Sequence, residues 1–353
     1  MKKILLFLLG LTIASVQTYA DTRAQALLLH NGQGKSFDAD QLQQAINEAV
    51  AGDTICLSEG AFMVSGDSLV INKDICIIGS GADVCKIGGN IWIAIDGNPT
   101  LTRYLLDAVK VAGTVEIMKD VKGVSLRKCW IEKWLQGNGC EVRDVKLDRC
   151  YLYQFGTQAN TKVPEIKSAT IVNSVILVLG KKSDIKNKFA EGYDVNFLNC
   201  NIACLTFNCS WAATYTNCIL GSSFGSTSPG GMINNTFINT LLNTNSGSIA
   251  IEGGYRQYNI ANALSQGNVF HNCYNKDITF KIDQYLNSFP TFNITKEDLL
   301  TSGFLGTDGT VIGIEGSSTP YSLKPEGISV KESILSVDPE TRKLNVTLKV
   351  ATE

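Results

Sequence analysis

A four-residue phrase recurs seven times between residues 126 and 273, as an apolar residue, any residue, usually Asn, and then Cys, Ser or Thr. The copies are LRKC (126–129), LDRC (147–150), IVNS (171–174), FLNC (197–200), YTNC (215–218), FINT (237–240) and FHNC (270–273). They begin 21, 24, 26, 18, 22 and 33 residues apart, and a period of this length indicates a solenoid of stacked turns. Such a repeat constrains the architecture strongly and the chemistry little.

The phrases have the pattern of β-strands. Apolar and polar residues alternate around each phrase, as at Val195 and Phe197, and this is the two-residue period of a strand. A turn of roughly 22 residues is too short for a strand plus a full helix, but it fits three short strands joined by turns. Each strand would pair with its equivalent in the next turn, about 4.8 Å away. The sequence therefore predicts a parallel β-helix.

The third and fourth positions of the phrase have separate explanations. Asn recurs at the third position because a sharp bend between strands needs a residue that tolerates positive φ. The fourth position is small and mostly apolar, which is typical of an inward site beside a tight corner. Eleven cysteines in an exported chain would ordinarily suggest disulfides. The odd count and their strand positions instead favour buried free thiols, with a bridge between Cys204 and Cys209 as an exception.

A capping helix is predicted at about residues 38–51. Asp38 and Gln41 form a capping box, and Gly52 ends the helix. One helical stripe carries Leu42, Ala45, Ile46, Ala49 and Val50. The helix would close the open end of the solenoid core.

Two stretches carry a resemblance to a known superfamily. Residues 37–89, a capping helix followed by AGDTICLSEGAFMVSGDSLVINKDICIIGSGADVCKIGG, resemble the entry of right-handed parallel β-helix proteins of the pectin-lyase-like superfamily. Residues 306–321 and KLNVTLKV near the terminus resemble the closing part of secreted β-helix proteins of gut Bacteroidetes. The resemblance implies an all-β, single-stranded right-handed parallel β-helix with an N-terminal capping α-helix and a C-terminal β-hairpin.

The predicted organisation has three parts. Residues 1–20 have two lysines, an apolar stretch and a small residue before Asp21, which is typical of a cleaved secretory signal. Residues 21–302 form the β-helix, and 303–353 form a closing segment with a hairpin. No apolar run after the signal is long enough for a membrane span. The chain is therefore expected to be exported to the periplasm, the cell surface or the medium.

The outward column beside the phrases offers a candidate ligand surface. Trp130 should lie over Tyr151 and Glu132 over Tyr153, with Trp134 one turn from Phe155. Exposed aromatic rings in a row can stack on sugar rings. Alternatively, a loop or the C-terminal hairpin covers them, since large apolar patches usually have a partner.

Charged residues on the same coils offer a second candidate. Lys128 and Arg149 would stack one coil apart and could grip a uronate. Arg127 stacks equally well on Asp148, and such pairs are normal on a solvated sheet face. The basic loop at 181–188 and the insertion at 249–266 are further candidate binding elements.

The residues identify no cofactor. The two histidines, His30 and His271, do not form a pair that could bind a metal or activate a nucleophile. The catalytic phrases of the glycan hydrolases that the resemblance implies are missing. Calcium stays open as a cofactor through the resemblance, but no compact carboxylate set supports it.

Three functions are compatible with these observations. The first is binding of a polysaccharide or oligosaccharide, as an accessory to glycan utilisation. The alternatives are a polysaccharide lyase or glycoside hydrolase acting on uronate-rich glycan, and a structural or adhesive surface protein. Removing the leader leaves 29 basic against 33 acidic residues, so nucleic acid is not an expected partner. A monomer is expected.

Overall fold

The computed structural model describes most of the chain as a parallel β-helix. The described residues are 24–97, 103–137, 140–156, 165–179, 194–205, 213–222, 235–242, 267–275, 280–281, 291–292, 294–324, 328–337 and 344–352. The predicted signal peptide lies outside them. The predicted fold class, an all-β right-handed parallel β-helix with an N-terminal helix, is confirmed.

Sheet 1 has twelve strands and runs the length of the solenoid. In spatial order the strands are Gln33–Asp38, Gln25–His30, Thr54–Leu57, Cys76–Ile78, Leu106–Asp107, Ser125–Arg127, Val145–Asp148, Ser168–Val172, Asp194–Leu198, Ala213–Thr216, Thr236–Ile238 and Val269–His271. Gln25–His30 pairs antiparallel with both neighbours, and the remaining neighbours pair in parallel. The seven phrases lie at the ends of consecutive strands of this sheet.

Sheet 2 has eleven strands and forms a second side of the solenoid. Its strands are Gly60–Ile71, Cys85–Ile93, Lys110–Val111, Val115–Ile117, Trp130–Gly137, Tyr151–Phe155, Val175–Leu179, Asn201–Leu205, Ile219–Ser222, Leu241–Leu242 and Tyr274–Asn275. A third, three-stranded sheet contains Val121–Lys122, Glu141–Arg143 and Glu165–Ile166. Two antiparallel pairs complete the strands, Phe280–Lys281 with Thr291–Phe292 and Ile328–Val337 with Leu344–Thr352.

The first residue of each phrase faces the core. Leu126, Leu147 and Ile171 are fully buried in register, and aromatic residues continue the column. The ring centroids of Phe197, Tyr215, Phe237 and Phe270 follow one another at 5.0, 5.0 and 4.9 Å, nearly parallel. The stacking distance matches the spacing of parallel strands.

The third residue of each phrase forms the corner between sheets 1 and 2. All seven corner residues have φ between 44° and 54°, as predicted for the asparagines. They are Lys128, Arg149, Asn173, Asn199, Asn217, Asn239 and Asn272. Ala108 extends the column by one coil with φ of 54°. The corner therefore needs the left-handed conformation, which Asn adopts more easily than other non-glycine residues.

The fourth residue of each phrase is a hydrogen-bond donor, which the sequence interpretation as a small apolar site missed. The thiol of Cys218 donates to the carbonyl oxygens of Thr216 (3.2 Å) and Phe197 (3.5 Å), and the Thr240 hydroxyl donates to those of Ile238 (3.1 Å) and Tyr215 (3.0 Å). Cys, Ser and Thr interchange here because each is small and can donate.

The cysteines that the structure describes carry free thiols. They are Cys56, Cys76, Cys85, Cys129, Cys140, Cys150, Cys200, Cys218 and Cys273. Burial raises the pKa of the Cys129 thiol well above its usual value, and its hydrogen bond with Cys150 adds to the effect. The predicted bridge between Cys204 and Cys209 lies outside the described side chains.

The N-terminal cap combines a hairpin and a short helix. A 3-10 turn, Ala39–Gln41, leads into the α-helix Leu42–Glu48, so the helix ends three residues earlier than predicted. The Gln41 side chain accepts the backbone N–H of Asp38 at 3.2 Å. The predicted stripe is buried except for Val50, which lies beyond the helix end and is 49% exposed.

The ammonium group of Lys73 closes the C-terminal end of this helix. Its Nζ donates to the carbonyl oxygens of Asn47 and Ala49 at 2.6 Å, and to that of Ile46 at 3.2 Å. These carbonyls have no intrahelical partner. We expect Lys73→Met to lower the free energy of unfolding by about 1–2 kcal/mol. Urea denaturation would measure this, with the exposed Lys86→Met as a control that should change stability by less than about 0.5 kcal/mol.

Candidate functional site

The predicted aromatic column lies beneath residues 294–324, which we call the cover segment. Trp130 is 5% exposed and Tyr151 is 1% exposed. Both pack with Ile314, Tyr321 and Leu323 of the cover segment. The prediction of an open aromatic surface is therefore wrong for these two rings, and the alternative that another part of the chain covers them is correct. Tyr153 is partly buried in the same cluster.

The cover segment lies lengthwise over the corner between sheets 1 and 2. It begins with the helix Lys296–Thr301 and includes a 3-10 turn, Gly313–Glu315. Two corner amides bond to it: the Asn217 oxygen accepts the Thr307 N–H (3.0 Å) and the Asn173 oxygen accepts the Ser317 hydroxyl (3.1 Å). The Asn201 oxygen, at the start of a sheet 2 strand, accepts the Ile314 N–H (3.3 Å). The segment thus runs from later coils back toward earlier ones.

A second apolar cluster lies under the first half of the cover segment. It joins Ile219 and Leu241 of sheet 2 to cover residues. The cover residues in this cluster are Ile294, Leu299, Phe304, Val311 and Ile312. Apart from Asn201, the outward column of sheet 2 from Trp130 to Tyr274 is thereby packed as an outer apolar layer.

The register of the aromatic strands was predicted in part. Trp130 pairs with Tyr151, as the 21-residue spacing requires. A shift after Ile131 then pairs Trp134 with Gln154, and not with the predicted Phe155. For Trp134 the structure describes the backbone pairing only, so its role in ligand binding stays a prediction.

Lys128 and Arg149 do not form a grip on the outside of the sheet. Both are corner residues with positive φ. Lys128 is 3% exposed, and its ammonium group donates to the Lys324 carbonyl oxygen of the cover segment at 2.7 Å. The Arg149 guanidinium lies 2.7 Å from the Asp148 carboxylate. Lys128 therefore anchors the cover segment, while Arg149 belongs to the outer face of sheet 1.

Glu132 marks the edge of the covered region. Its carboxylate pairs with the Lys110 ammonium at 2.8 Å, and the Lys110 Nζ lies 3.6 Å from the centroid of the Trp130 ring. Both charged side chains are about one-fifth exposed (17% and 20%). The Lys110 ammonium thus covers one face of the Trp130 ring through a cation–π contact, and Glu132 holds the ammonium there.

A row of charges lies on the outward side of sheet 1, where the Arg127 side chain is 26% exposed and the Asp107 side chain is 8% exposed. We call Tyr104, Asp107, Arg127, Asp148 and Arg149 the charged row. Asp107, Arg127 and Asp148 lie in register on consecutive strands. The Arg127 guanidinium donates to both Asp107 oxygens, at 3.1 and 2.5 Å, and its Cζ lies 4.8 Å from the centroid of the Tyr104 ring. Burial, followed by the nearby Asp148 charge, raises the pKa of Tyr104.

Sequence reasoning missed Tyr104 because it overlooked one coil. Leu106 pairs with Leu126 and Asp107 pairs with Arg127, so residues 106–109 (LDAV) are an earlier, unmarked copy of the phrase. That copy lacks both the Asn and the Cys that identified the others. The positive φ of Ala108 shows that it turns the same corner.

A second missed contact joins the N-terminal hairpin to the capping helix. The His30 Nδ1 lies 2.8 Å from Asp53 Oδ1, and Asp53 Oδ2 accepts the backbone N–H of Val50 at 2.8 Å. Asp53 is 6% exposed. The contact fixes the turn of the hairpin against the end of the helix.

Within the described ranges, no group of three or more His, Cys, Asp or Glu residues could hold a metal ion. These ranges also contain no helix with the length and hydrophobicity of a membrane span. The basic loop 181–188 and the insertion 249–266 lie outside those ranges.

Comparison with known proteins does not assign the chain to a family. No protein-family model matches the chain, and no curated protein matches it. The superfamily resemblance therefore rests on the quoted sequence stretches, and the fold is what the structure itself establishes.

Proposed function

We propose that the chain binds an acidic polysaccharide across the charged row on the outer face of sheet 1. The observation that carries the proposal is the contact between the Tyr104 ring and the Arg127 guanidinium. An aromatic ring beside a cation can stack on a sugar ring while the cation pairs with its carboxylate. In this proposal, the outer face of sheet 1 replaces the covered aromatic column as the binding surface.

The geometry of the arginines supports recognition of a carboxylate. Asp107 holds the Arg127 guanidinium by two bonds, and Asp148 holds Arg149. A guanidinium that is already oriented loses little side-chain entropy when it binds a planar anion. Arg127 and Arg149 occupy consecutive coils, about 4.8 Å apart along the solenoid. A polymer with repeated negative charges is therefore a better match than a single anion.

The charge of the surrounding face favours an anionic ligand. Lys146 is exposed and lies in register with Ser125, directly beside the row. With Lys146 included, the row has three cations and two carboxylates. The interaction is expected to weaken as ionic strength rises, because the groups are partly exposed.

The lyase alternative has less support among the described residues. Lys128, one of the two cations predicted to grip a uronate, is buried and donates to the cover segment. An ammonium group engaged there is poorly placed to remove a proton from a sugar in solvent. Unsaturated-product absorbance on uronate-rich glycans, with and without calcium, would test this alternative.

Substitutions in the charged row test the binding proposal. We expect Arg127→Ala to weaken retention in polygalacturonate affinity gels by about tenfold or more, since a charge-assisted hydrogen bond is lost. Tyr104→Ala should weaken it as well without removing a charge. The matched control is Arg143→Ala, which removes an exposed guanidinium paired with Glu141 on the third sheet.

Two results would contradict the proposal. One is equal loss of retention in Arg127→Ala and Arg143→Ala, which would indicate a general charge effect. The other is unchanged retention in both Tyr104→Ala and Arg127→Ala. Arg127→Ala leaves Asp107 without its bidentate partner and could disturb the fold. Circular dichroism is therefore the control that each variant remains folded.

A further inference from the structure

The outward side of sheet 1 changes character after the charged row. Asp148 pairs in register with Val172, and Lys146 pairs with Thr170. From these two pairs, two outward columns continue over the next strands of the sheet. The first column contains Thr170, Asn196, Thr214 and Thr236, and the second contains Val172, Leu198, Thr216 and Ile238. We call these residues the neutral half.

The side chains of the neutral half face away from the core. The residues that alternate with them, such as Ile171, Phe197 and Phe237, are buried. Thr170 is exposed, and the other members of the neutral half are partly exposed. Neighbouring strands lie about 4.8 Å apart, so these four strands span roughly 14 Å along the solenoid. The surface is therefore long enough to contact consecutive units of an extended polymer.

This surface does not offer a cation to a ligand. In the described strands that carry it, the outward positions hold one charge, the Asp194 carboxylate, which accepts the Asn196 amide N–H at 2.6 Å. A carboxylate of a bound polymer would lose water against Val172 and Leu198 without gaining an opposite charge, which costs free energy. The neutral half therefore disfavours the uronates that the charged row would bind.

The chemistry of the neutral half is suited to uncharged sugar residues. Threonine hydroxyls and the asparagine amide both donate and accept hydrogen bonds, as sugar hydroxyls do. Leu198 and Ile238 present apolar surface on which the C–H groups of a sugar ring can pack. The register keeps the polar column beside the mostly apolar one over all four strands.

We propose that the polymer bound at the charged row is a mixed polysaccharide, with a block of uncharged sugar residues that lies on the neutral half. This inference rests on the binding of an acidic polysaccharide proposed above and names the class of that ligand more closely. The occupant follows from continuity, because both surfaces share one sheet face and one register. On the other side of the row, the column continues through Ile78, Cys56 and Leu27, which offer no hydroxyl or amide.

A polymer series with one backbone tests this inference on the full chain. The series consists of polygalacturonate, a partly reduced form in which some carboxylates have become primary alcohols, and a fully reduced form. We expect affinity gels with the partly reduced polymer to retain the chain about tenfold more strongly than gels with either of the others. Only that polymer satisfies both surfaces.

Substitutions at Thr214 locate the effect. Thr214→Glu places a carboxylate in the middle of the neutral half and should lower retention on the partly reduced polymer about tenfold. Retention on unreduced polygalacturonate should stay within about twofold, because Thr214 lies three strands, roughly 14 Å, from Lys146, beyond the Debye length at physiological ionic strength. Thr214→Val removes only the hydroxyl and should lower retention on the partly reduced polymer about threefold. The matched control is Gln33→Glu, which adds the same charge at an exposed position of the edge strand and should change neither retention.

The outcomes distinguish this inference from the binding proposal. Equal or stronger retention on unreduced polygalacturonate, still lowered by Arg127→Ala, would overturn the inference and leave the binding proposal standing. Absence of retention on all three polymers would overturn both. Equal retention on the partly and fully reduced polymers would also overturn the inference, because the charged row would then contribute nothing. If circular dichroism shows that Thr214→Glu does not fold, unchanged retention of Thr214→Val would count against the neutral half.

Discussion

Phe237→Ala is expected to lower the free energy of unfolding by about 3–5 kcal/mol, the usual cost of removing a fully buried aromatic ring. Phe237 has no exposed surface. Its ring stacks at 5.0 Å on Tyr215 and at 4.9 Å on Phe270. The loss therefore combines the transfer of a large apolar group with a cavity between two neighbouring coils, and the rigid strands on either side limit collapse. Urea denaturation followed by circular dichroism would measure the effect.

The adjacent Ile238→Ala is the matched control for this prediction. Ile238 lies on the same strand but on the outward side, where it is only partly buried. Its substitution should cost about 1 kcal/mol or less. Similar losses for the two variants would contradict the inward stack. A lower denaturation slope in Phe237→Ala, without a lower midpoint, would instead indicate that the coils unfold in separate steps.

The sequence predicted the coil register well because the repeat fixes it locally. Trp130 and Tyr151 are one period apart and pair as expected. The prediction for Trp134 was wrong because a bulge inside the strand shifts the pairing, and the spacing of the phrases contains no sign of it. Positive φ at Asn173 was predictable from the chemistry of Asn, whereas Lys128 at the same position has no such signal.

The covering of the candidate site depends on contacts between distant parts of the chain. Lys128 and Lys324 are 196 residues apart in sequence. The sequence of the coils around Trp130 does not indicate whether a later segment packs over them. The exposure of the Trp130 ring could therefore not be predicted from the neighbouring sequence. By contrast, the N-terminal hairpin, which the sequence interpretation did not include, could have been predicted from its local sequence. Asn31 and Gly32 both have positive φ in its turn, and Asn-Gly between alternating residues is a strong hairpin pattern.

Gly313 is one of the glycines that let the cover segment lie close against sheet 2. Gly313 has φ of +76°, and a Cβ there would lie 2.5 Å from the Asn201 Oδ1 and 2.6 Å from the Ile219 Cδ1. Its N–H donates to the Asn217 carbonyl oxygen at 2.7 Å. Gly313→Ala therefore adds left-handed strain to a direct clash with sheet 2. We expect it to weaken the seating of residues 303–324 by about 2 kcal/mol or more.

Hydrogen–deuterium exchange with mass spectrometry would measure this effect on peptides from 303–324. Exchange there should be about 30-fold faster in Gly313→Ala, since 2 kcal/mol corresponds to that factor. Gly309→Ala is the matched control, because Gly309 has nearly the same φ, +77°, and a Cβ there would contact nothing within 4 Å. Only the left-handed strain applies to it, so its exchange should rise less. Equal acceleration in both variants would show that strain alone, and not contact with Asn201, decides how the segment seats. Faster exchange in Gly313→Ala that spreads to the strand Tyr151–Phe155 would show that the cover segment and the aromatic column beneath it open as one unit.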